Sequence, residues 1–310
     1  MADHTPPSRL LAESTCGGAG SGTIDAALET PCTSAIRIQY ASDLHLEFGD
    51  QTSFGYMLTP VAPYLALAGD IGRPDQQSYR QFLEYCSANW QHTFVVAGNH
   101  ELYNGGMDGK VDSAADRLSS CAHICRQFPN VHFMNRGRFE LESEGVSVLG
   151  ATLWTNLDSE EKQTVAQGQM NDYRCIFVDQ EAQEEAFGFP HRLLTAADVL
   201  AWHRCDREWL SQEIAANARV ARPVVVITHH LPTFRLIAPF WATSPLTVAF
   251  ASECSELLTH PVRAWIAGHT HVSAHLSLDR MQLGVNPRGY PGDDKSGYLP
   301  SRCFDVDIGP

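Results

Sequence analysis

The chain has 310 residues, of which 44% are hydrophobic and 19% charged, the make-up of a globular protein large enough to bury a sizeable core. Its formal net charge is −14, from 22 basic and 36 acidic residues, so a long nucleic acid finds no general basic footprint here. Apolar stretches stop short of the ~18 residues a transmembrane span requires. The beginning of the chain, MADHTPPSRLLAEST, lacks a basic segment followed by an apolar core, so no signal peptide is read there. A cytoplasmic protein is therefore expected. The nine cysteines are scattered with no CxxC, and they are expected to be free thiols.

In chain order, residues 1–34 are rich in Ala, Gly, Ser and Thr, include CGGAGSG, and read as a flexible tail ahead of one domain at 35–310. The pattern then changes. AIRIQYASD (35–43), PYLALAGD (63–70), TFVVAGN (93–99), PVVVITHH (223–230) and VRAWIAGH (262–269) are short apolar runs ending in Asp, Gly-Asp, Gly-Asn or His. Runs of this length, apolar on both faces, predict strands buried inside a layered α/β domain. Apolar residues three and four apart predict helices over 75–90, 112–128 and 195–218, the last with Thr195 as N-cap ahead of Asp198. FELESEGVSVLGATLW (139–154) reads as a hairpin and CFDVDIG as a closing strand. Segment 155–194 is the least regular, either an insertion near the site or a surface excursion.

Side chains suited to metals stand at the ends of these runs: Asp43 and His45 in SDLH, Asp70 in GD, Asn99 in GNHE, His229 in THH, and His269 and His271 in GHTH. Open α/β sheets build sites at strand carboxyl ends. A strand alternates its faces, so His269 and His271 would stand on the same side if strand geometry persists. Glycines before Asp70, Asn99 and His269 let the backbone turn tightly. Oxygen and nitrogen ligands suit Mn, Fe, Zn or Ni, with thiolates absent.

D-x-H, G-D, G-N-H-E, H and G-H-x-H in this order resemble the calcineurin-like metallophosphoesterase superfamily, with all blocks intact between residue 35 and about 285. The resemblance implies a four-layer α/β/β/α sandwich of two mixed sheets flanked by helices, with the metal site at the strand ends. It implies two divalent or trivalent ions, Mn or Fe favoured. One would be held by Asp43, His45, Asp70 and His271, the other by Asp70, Asn99, His229 and His269, with Asp70 bridging. Hydrolysis would then proceed by in-line attack of a metal-bridging hydroxide on phosphorus, without a protein nucleophile. His100, not itself a ligand, would protonate the leaving oxygen, held cationic by a carboxylate, for which Glu101 and Asp70 are the candidates.

Beyond the metal-type residues, His230 is a candidate for substrate contact. Asn171, Tyr173 and Arg174 in MNDYR and Arg288, with Tyr290, in NPRGY are further candidates, the arginines through a bidentate fork to phosphate. FRLIAPFWATSPLTVAF (234–250) is apolar enough for either a lid or core packing. The function expected is hydrolysis of a small phosphomonoester or phosphodiester. The alternatives are a nuclease, a protein phosphatase, and a non-catalytic scaffold that keeps the fold.

Overall fold

A computed structural model describes residues 35–49, 53–104, 111–180, 191–293 and 295–309. The tail expected over 1–34 lies outside them. The first half contains β1 (Ala35–Ala41), a single-turn α1 (Phe54–Met57), β2 (Tyr64–Ala68), α2 (Gln77–Asn89), β3 (His92–Val96), α3 (Ala114–Cys125) and β4 (Val131–Phe133). The hairpin β5 (Gly137–Leu141) and β6 (Val146–Ala151) follows, then α4 (Glu160–Gln169) and α5 (Asp172–Cys175). A small ribbon, β7 (Phe177–Asp179) and β8 (His191–Leu193), leads into the long α6 (Ala196–Arg219). The chain ends with β9 (Val224–Thr228), β10 (Val262–Ala267), β11 (Ala274–Leu278), β12 (Met281–Val285) and β13 (Cys303–Asp307).

Two mixed sheets form. One is ordered β13-β1-β2-β3-β4, the other β11-β12-β10-β9-β6-β5. β1 to β4 run parallel with β13 antiparallel at the edge; β12, β10, β9 and β6 run parallel, with antiparallel neighbours at both edges.

Alternation along each strand explains the layers. In β2, Tyr64, Ala66 and Ala68 face the other sheet, where they meet Val225 and Ile227 of β9. Leu65 and Leu67 face outward, onto Tyr79, Phe82 and Leu83 of α2 and Cys121 and Cys125 of α3. On the second sheet Val224, Val226 and Trp265 face Leu210 and Ile214 of α6. Strands covered on both sides are apolar at most positions, and β2, β6, β9 and β10 are buried throughout, with Ser147, Thr228 and Arg263 the polar exceptions. The result is the four-layer α/β/β/α sandwich. No helix among the described residues is long and apolar enough to cross a membrane.

α6 begins on a capping box: Thr195 accepts from the Asp198 amide, and the Asp198 side chain accepts from the Thr195 amide, worth ~1 kcal/mol. Its buried stripe includes His203, Asp206 and Asn217 as well as apolar residues. Asp206 accepts the Leu153 amide at 2.9 Å and the Arg136 guanidinium at 2.8 Å, pinning the helix to the exit of β6.

Between β3 and β4, Nδ1 of His92 lies 2.9 Å from Nε2 of His132, and the His132 ring packs 4.0 Å from Phe139. Burial, reinforced by His92, pushes His132 down to about 4, and burial also lowers His92. In the unfolded chain imidazoles take a proton near pH ~6.5. The unfolded state therefore binds more protons in the window between, and stability should fall as pH drops through it. His132→Phe should flatten that fall in urea midpoints measured against pH. Equal slopes in both proteins would remove the histidine pair as its cause.

Candidate metal centre

The carboxyl ends of β1, β2 and β3 in one sheet, and of β9 and β10 in the other, deliver the polar residues. Asp43 and His45 follow β1, Asp70 follows β2, Asn99 and His100 follow β3, His229 and His230 follow β9, and His269 and His271 follow β10. The loops are stitched to one another: Asp43 N donates to Gly69 O at 2.9 Å, His45 N to Asp70 O at 3.0 Å, and Gly268 N to His229 O at 2.9 Å.

The backbone here is unusual. Asp43, His45, Asp70, His269 and His271 have φ of +50°, +49°, +53°, +71° and +51°, five of the nine non-glycine residues with positive φ among those described. Each such residue costs on the order of 1 kcal/mol and persists only where the surrounding fold imposes it. His269 and His271 therefore do not continue β10 as a strand; they are turned individually. Gly69, at φ +84°, uses the freedom expected of it. Gly98 serves a different purpose. A Cβ there would stand 2.7 Å from both the Asp70 amide nitrogen and His229 Cε1, and would collide with Asp70 Oδ1.

These loops bring all seven candidate ligands together. His45 and His271 face each other through their Nε2 atoms at 3.1 Å. His229 Nε2 lies 3.1 Å from His269 Nδ1 and 3.0 Å from Asn99 Oδ1. Between the two imidazole pairs stand the carboxylates. Asp70 Oδ2 is 3.6 Å from His229 Nε2 and 3.9 Å from His45 Nε2, while Asp43 Oδ1 is 3.4 Å from His271 Nε2. Potential ligand atoms of Asp43, Asp70, His229 and His269, and those of Asp43, His45 and His271, lie within 4.8 Å of one another.

The electrostatics suit cations. Asp43, His45, Asp70 and His229 are fully buried, and no Lys or Arg among the described residues pairs with either aspartate. Burial pushes His229 down to about 4 and lowers His45, while His269 is pushed down by burial and the neighbouring imidazoles. Neutral imidazole is the ligand form. Burial, together with Glu101 and Asp43, drives Asp70 well above the carboxylate range. Burial opposes ionisation of Asp43 too, but His271, His229 and His45 outweigh it and hold its carboxyl low. Buried nitrogens aimed at one another, with carboxylates between them, fit a pair of N/O-ligated metal ions.

His100 is placed beside this cluster, and its partner is not Glu101. Glu101 turns away in the 3-10 turn His100–Leu102 and is fully buried. It accepts the amides of Gly98 at 2.7 Å, Ile71 at 2.8 Å and Asp70 at 3.0 Å, so its carboxylate fixes the loops. Asp70 accepts the His100 amide at 2.8 Å, and a carboxylate oxygen of Asp70 also lies within 4.8 Å of a His100 ring nitrogen. The carboxylate on the His100 ring is Glu47, whose Oε1 is 2.8 Å from His100 Nδ1 and 3.0 Å from His45 Nδ1. Burial would raise Glu47, but hydrogen bonds from His100 and His45 outweigh it and hold it at about 2. Asp172 of MNDYR, not among the residues the sequence singles out, accepts from Asn99 Nδ2 at 2.8 Å and from the Tyr103 hydroxyl at 2.6 Å, aiming the Asn99 oxygen at His229.

The expected substrate contacts separate. Asn171 lines the cleft in front of the cluster. Tyr173 is buried in the side core with Leu157 and Ile176. Arg174 donates to Gly168 O and Met170 O, and Arg288 to Leu44 O at 3.1 Å; neither lines the cleft. His230 is fully buried against Trp154 and behind the His269 ring, with centroids 4.4 Å apart. Tyr290 does face the cleft, its hydroxyl 3.1 Å from His100 Nε2.

Comparison with known proteins agrees with this arrangement. The chain is 29% identical over 287 residues to uncharacterized protein L509 of Acanthamoeba polyphaga mimivirus, covering 87% of this chain and 96% of that one. Among solved structures it is similar to the phosphopantetheinyl hydrolase of Mycobacterium tuberculosis, with a TM-score of 0.64 and 17% identity over 90% of this chain and 98% of the other. The sequence profile of the calcineurin-like phosphoesterases matches residues 36–273, and the chain belongs to that family.

Proposed function

We propose that the protein is a two-metal phosphohydrolase of small phosphoesters. The observation that carries this reading is the convergence of seven buried or half-buried N and O ligands at the ends of five strands, with Asp70 between the two imidazole pairs. His45, His271 and Asp43 would hold one ion, and Asn99, His229 and His269 the other, with Asp70 shared. Mn or Fe is favoured. Bound there, two such ions draw charge from phosphoryl oxygens and acidify water at neutral pH.

The chain's own groups do the rest. His100 presents Nε2 toward the cleft, where it protonates the departing alkoxide. Glu47 fixes the ring through Nδ1 and keeps that proton available. Tyr290 is hydrogen-bonded to the same Nε2 and lines the cleft beside it. Because Glu47 also orients His45, Glu47→Gln should lower both metal affinity and turnover, each by about 10–100-fold. Elemental analysis paired with steady-state rates reads both. Turnover equal to wild type would show that the carboxylate does not support either imidazole.

The seven described cysteines are all free, which supports work in a reducing compartment such as the cytoplasm. The reaction itself is tested by offering Mn²⁺-loaded protein p-nitrophenyl phosphate, bis-p-nitrophenyl phosphate and a phosphopantetheinyl ester. The last is included because a solved structural neighbour is named for that group. The ratio of the first two rates separates monoesterase from diesterase. Hydrolysis of none of them with both ions bound would favour the scaffold alternative.

A further inference from the structure

The metal-type cluster opens into a cleft of about 680 Å³, large enough for a drug-sized molecule. One wall is polar and holds Asp70, Asn99, His100 and His271. Another wall is built by 234–250, the segment whose sequence suits either a lid or core packing. Ile237, Phe240, Trp241, Leu246 and Phe250 of this segment line the cleft. Leu236 and Ala249 are buried beneath them and anchor the segment.

Phe240 and Trp241 are 69% and 52% exposed, with ring centroids 5.5 Å apart. The wall begins at the cluster itself, because the Phe250 ring lies 4.7 Å from that of His269. Lys295 is the single Lys or Arg among the described residues lining the cleft. A polyphosphate would find one cationic side chain there and would leave the apolar wall wet. An apolar body on the alcohol would cover it.

We propose that this wall is the leaving-group subsite, and that the substrates are phosphoesters whose alcohol carries an apolar body of roughly ring size or larger. The proposal rests on the phosphohydrolase reading: a phosphorus held at the cluster would stand beside this wall, which Phe250 joins to His269. Burying such a group contributes through area removed from water, roughly 25 cal/mol per Å², less the freedom lost on binding.

The test compares 3-phenylpropyl phosphate with ethyl phosphate on the full-length, metal-loaded protein. Both lose a primary alkoxide, so the chemistry at phosphorus is matched and only the distal group differs. Wild type should favour the phenylpropyl ester by at least about tenfold in kcat/KM, and Trp241→Ala combined with Leu246→Asn should shrink that ratio to about twofold. An equal kcat/KM for the two esters in wild type, or a ratio untouched by the double variant, overturns the subsite. Binding of 3-phenylpropylphosphonate and ethylphosphonate, measured by calorimetry, is read in parallel. If neither these esters nor p-nitrophenyl and bis-p-nitrophenyl phosphate is hydrolysed but the phenylpropyl compound binds at least about tenfold tighter and loses this advantage in the variant, the subsite stands and the hydrolase reading falls. Equal binding of the two phosphonates removes the subsite whatever the turnover.

Discussion

Asp70→Asn should abolish turnover and metal loading together. Its Oδ2 lies between His229 and His45, one from each imidazole pair, and its Oδ1 accepts the His100 amide. Replacing the carboxylate by an amide removes the negative charge that both ions would share while keeping nearly the same volume. Bound metal should fall from about two equivalents to one or fewer, and kcat/KM by at least about 10³-fold, since the stabilisation lost is several kcal/mol. Stability should move the other way once metal is stripped. Asp70 is buried with Asp43 and Glu101 as acidic neighbours, so without metal its carboxyl must either stand beside like charge or take up a proton. Metal-free Asp70→Asn should therefore melt at or above metal-free wild type. A variant that keeps both ions and its rate would remove Asp70 from the centre.

His100→Asn should separate chemistry from metal binding. The ring is anchored by Glu47 and Tyr290, and although one of its nitrogens lies within 4.8 Å of ligand atoms of His45 and Asp70, those two residues would hold the ion without it, so metal content should match wild type. Loss of a general acid lowers kcat by about 10²–10⁴-fold. The size of the loss should depend on the leaving group. An alkyl phosphate, whose alkoxide needs a proton, should suffer the full effect, whereas p-nitrophenyl phosphate should suffer far less because p-nitrophenolate leaves unprotonated. Equal losses on both esters would mean that His100 stabilises charge on the phosphoryl group instead of delivering a proton.

The strands and their terminal residues were legible because period, apolar content and chemistry coincide: VVVIT followed by His229, or VRAWIA followed by Gly268 and His269, can be read one residue at a time. What escaped was pairing between distant segments. Glu101 and Asp70 are the candidates the sequence offers as partner of His100, but in a 3-10 turn successive side chains diverge, and Glu101 accepts backbone amides instead. Glu47 was visible two residues beyond His45 in SDLHLE, yet only the approach of β3's exit loop buries it between two imidazoles. Arg174 and Arg288 looked like phosphate ligands, and each instead satisfies backbone carbonyls. The hairpin of β11 and β12 was missed because its first strand exposes alternate residues at the edge of the sheet and lacks the dense apolar run of the central strands. The 234–250 segment shows the same limit. Its composition was plain, and only the fold turns Trp241 and Phe250 toward the cluster.

The most direct test of the account is a reconstitution titration: strip the protein of metal, add Mn²⁺ in measured equivalents, and follow phosphoester hydrolysis against bound metal. The account predicts no turnover in the stripped protein and a rate that rises to saturation at about two ions per chain. Full activity without metal, or saturated metal binding with no hydrolysis of any phosphoester offered, would contradict it.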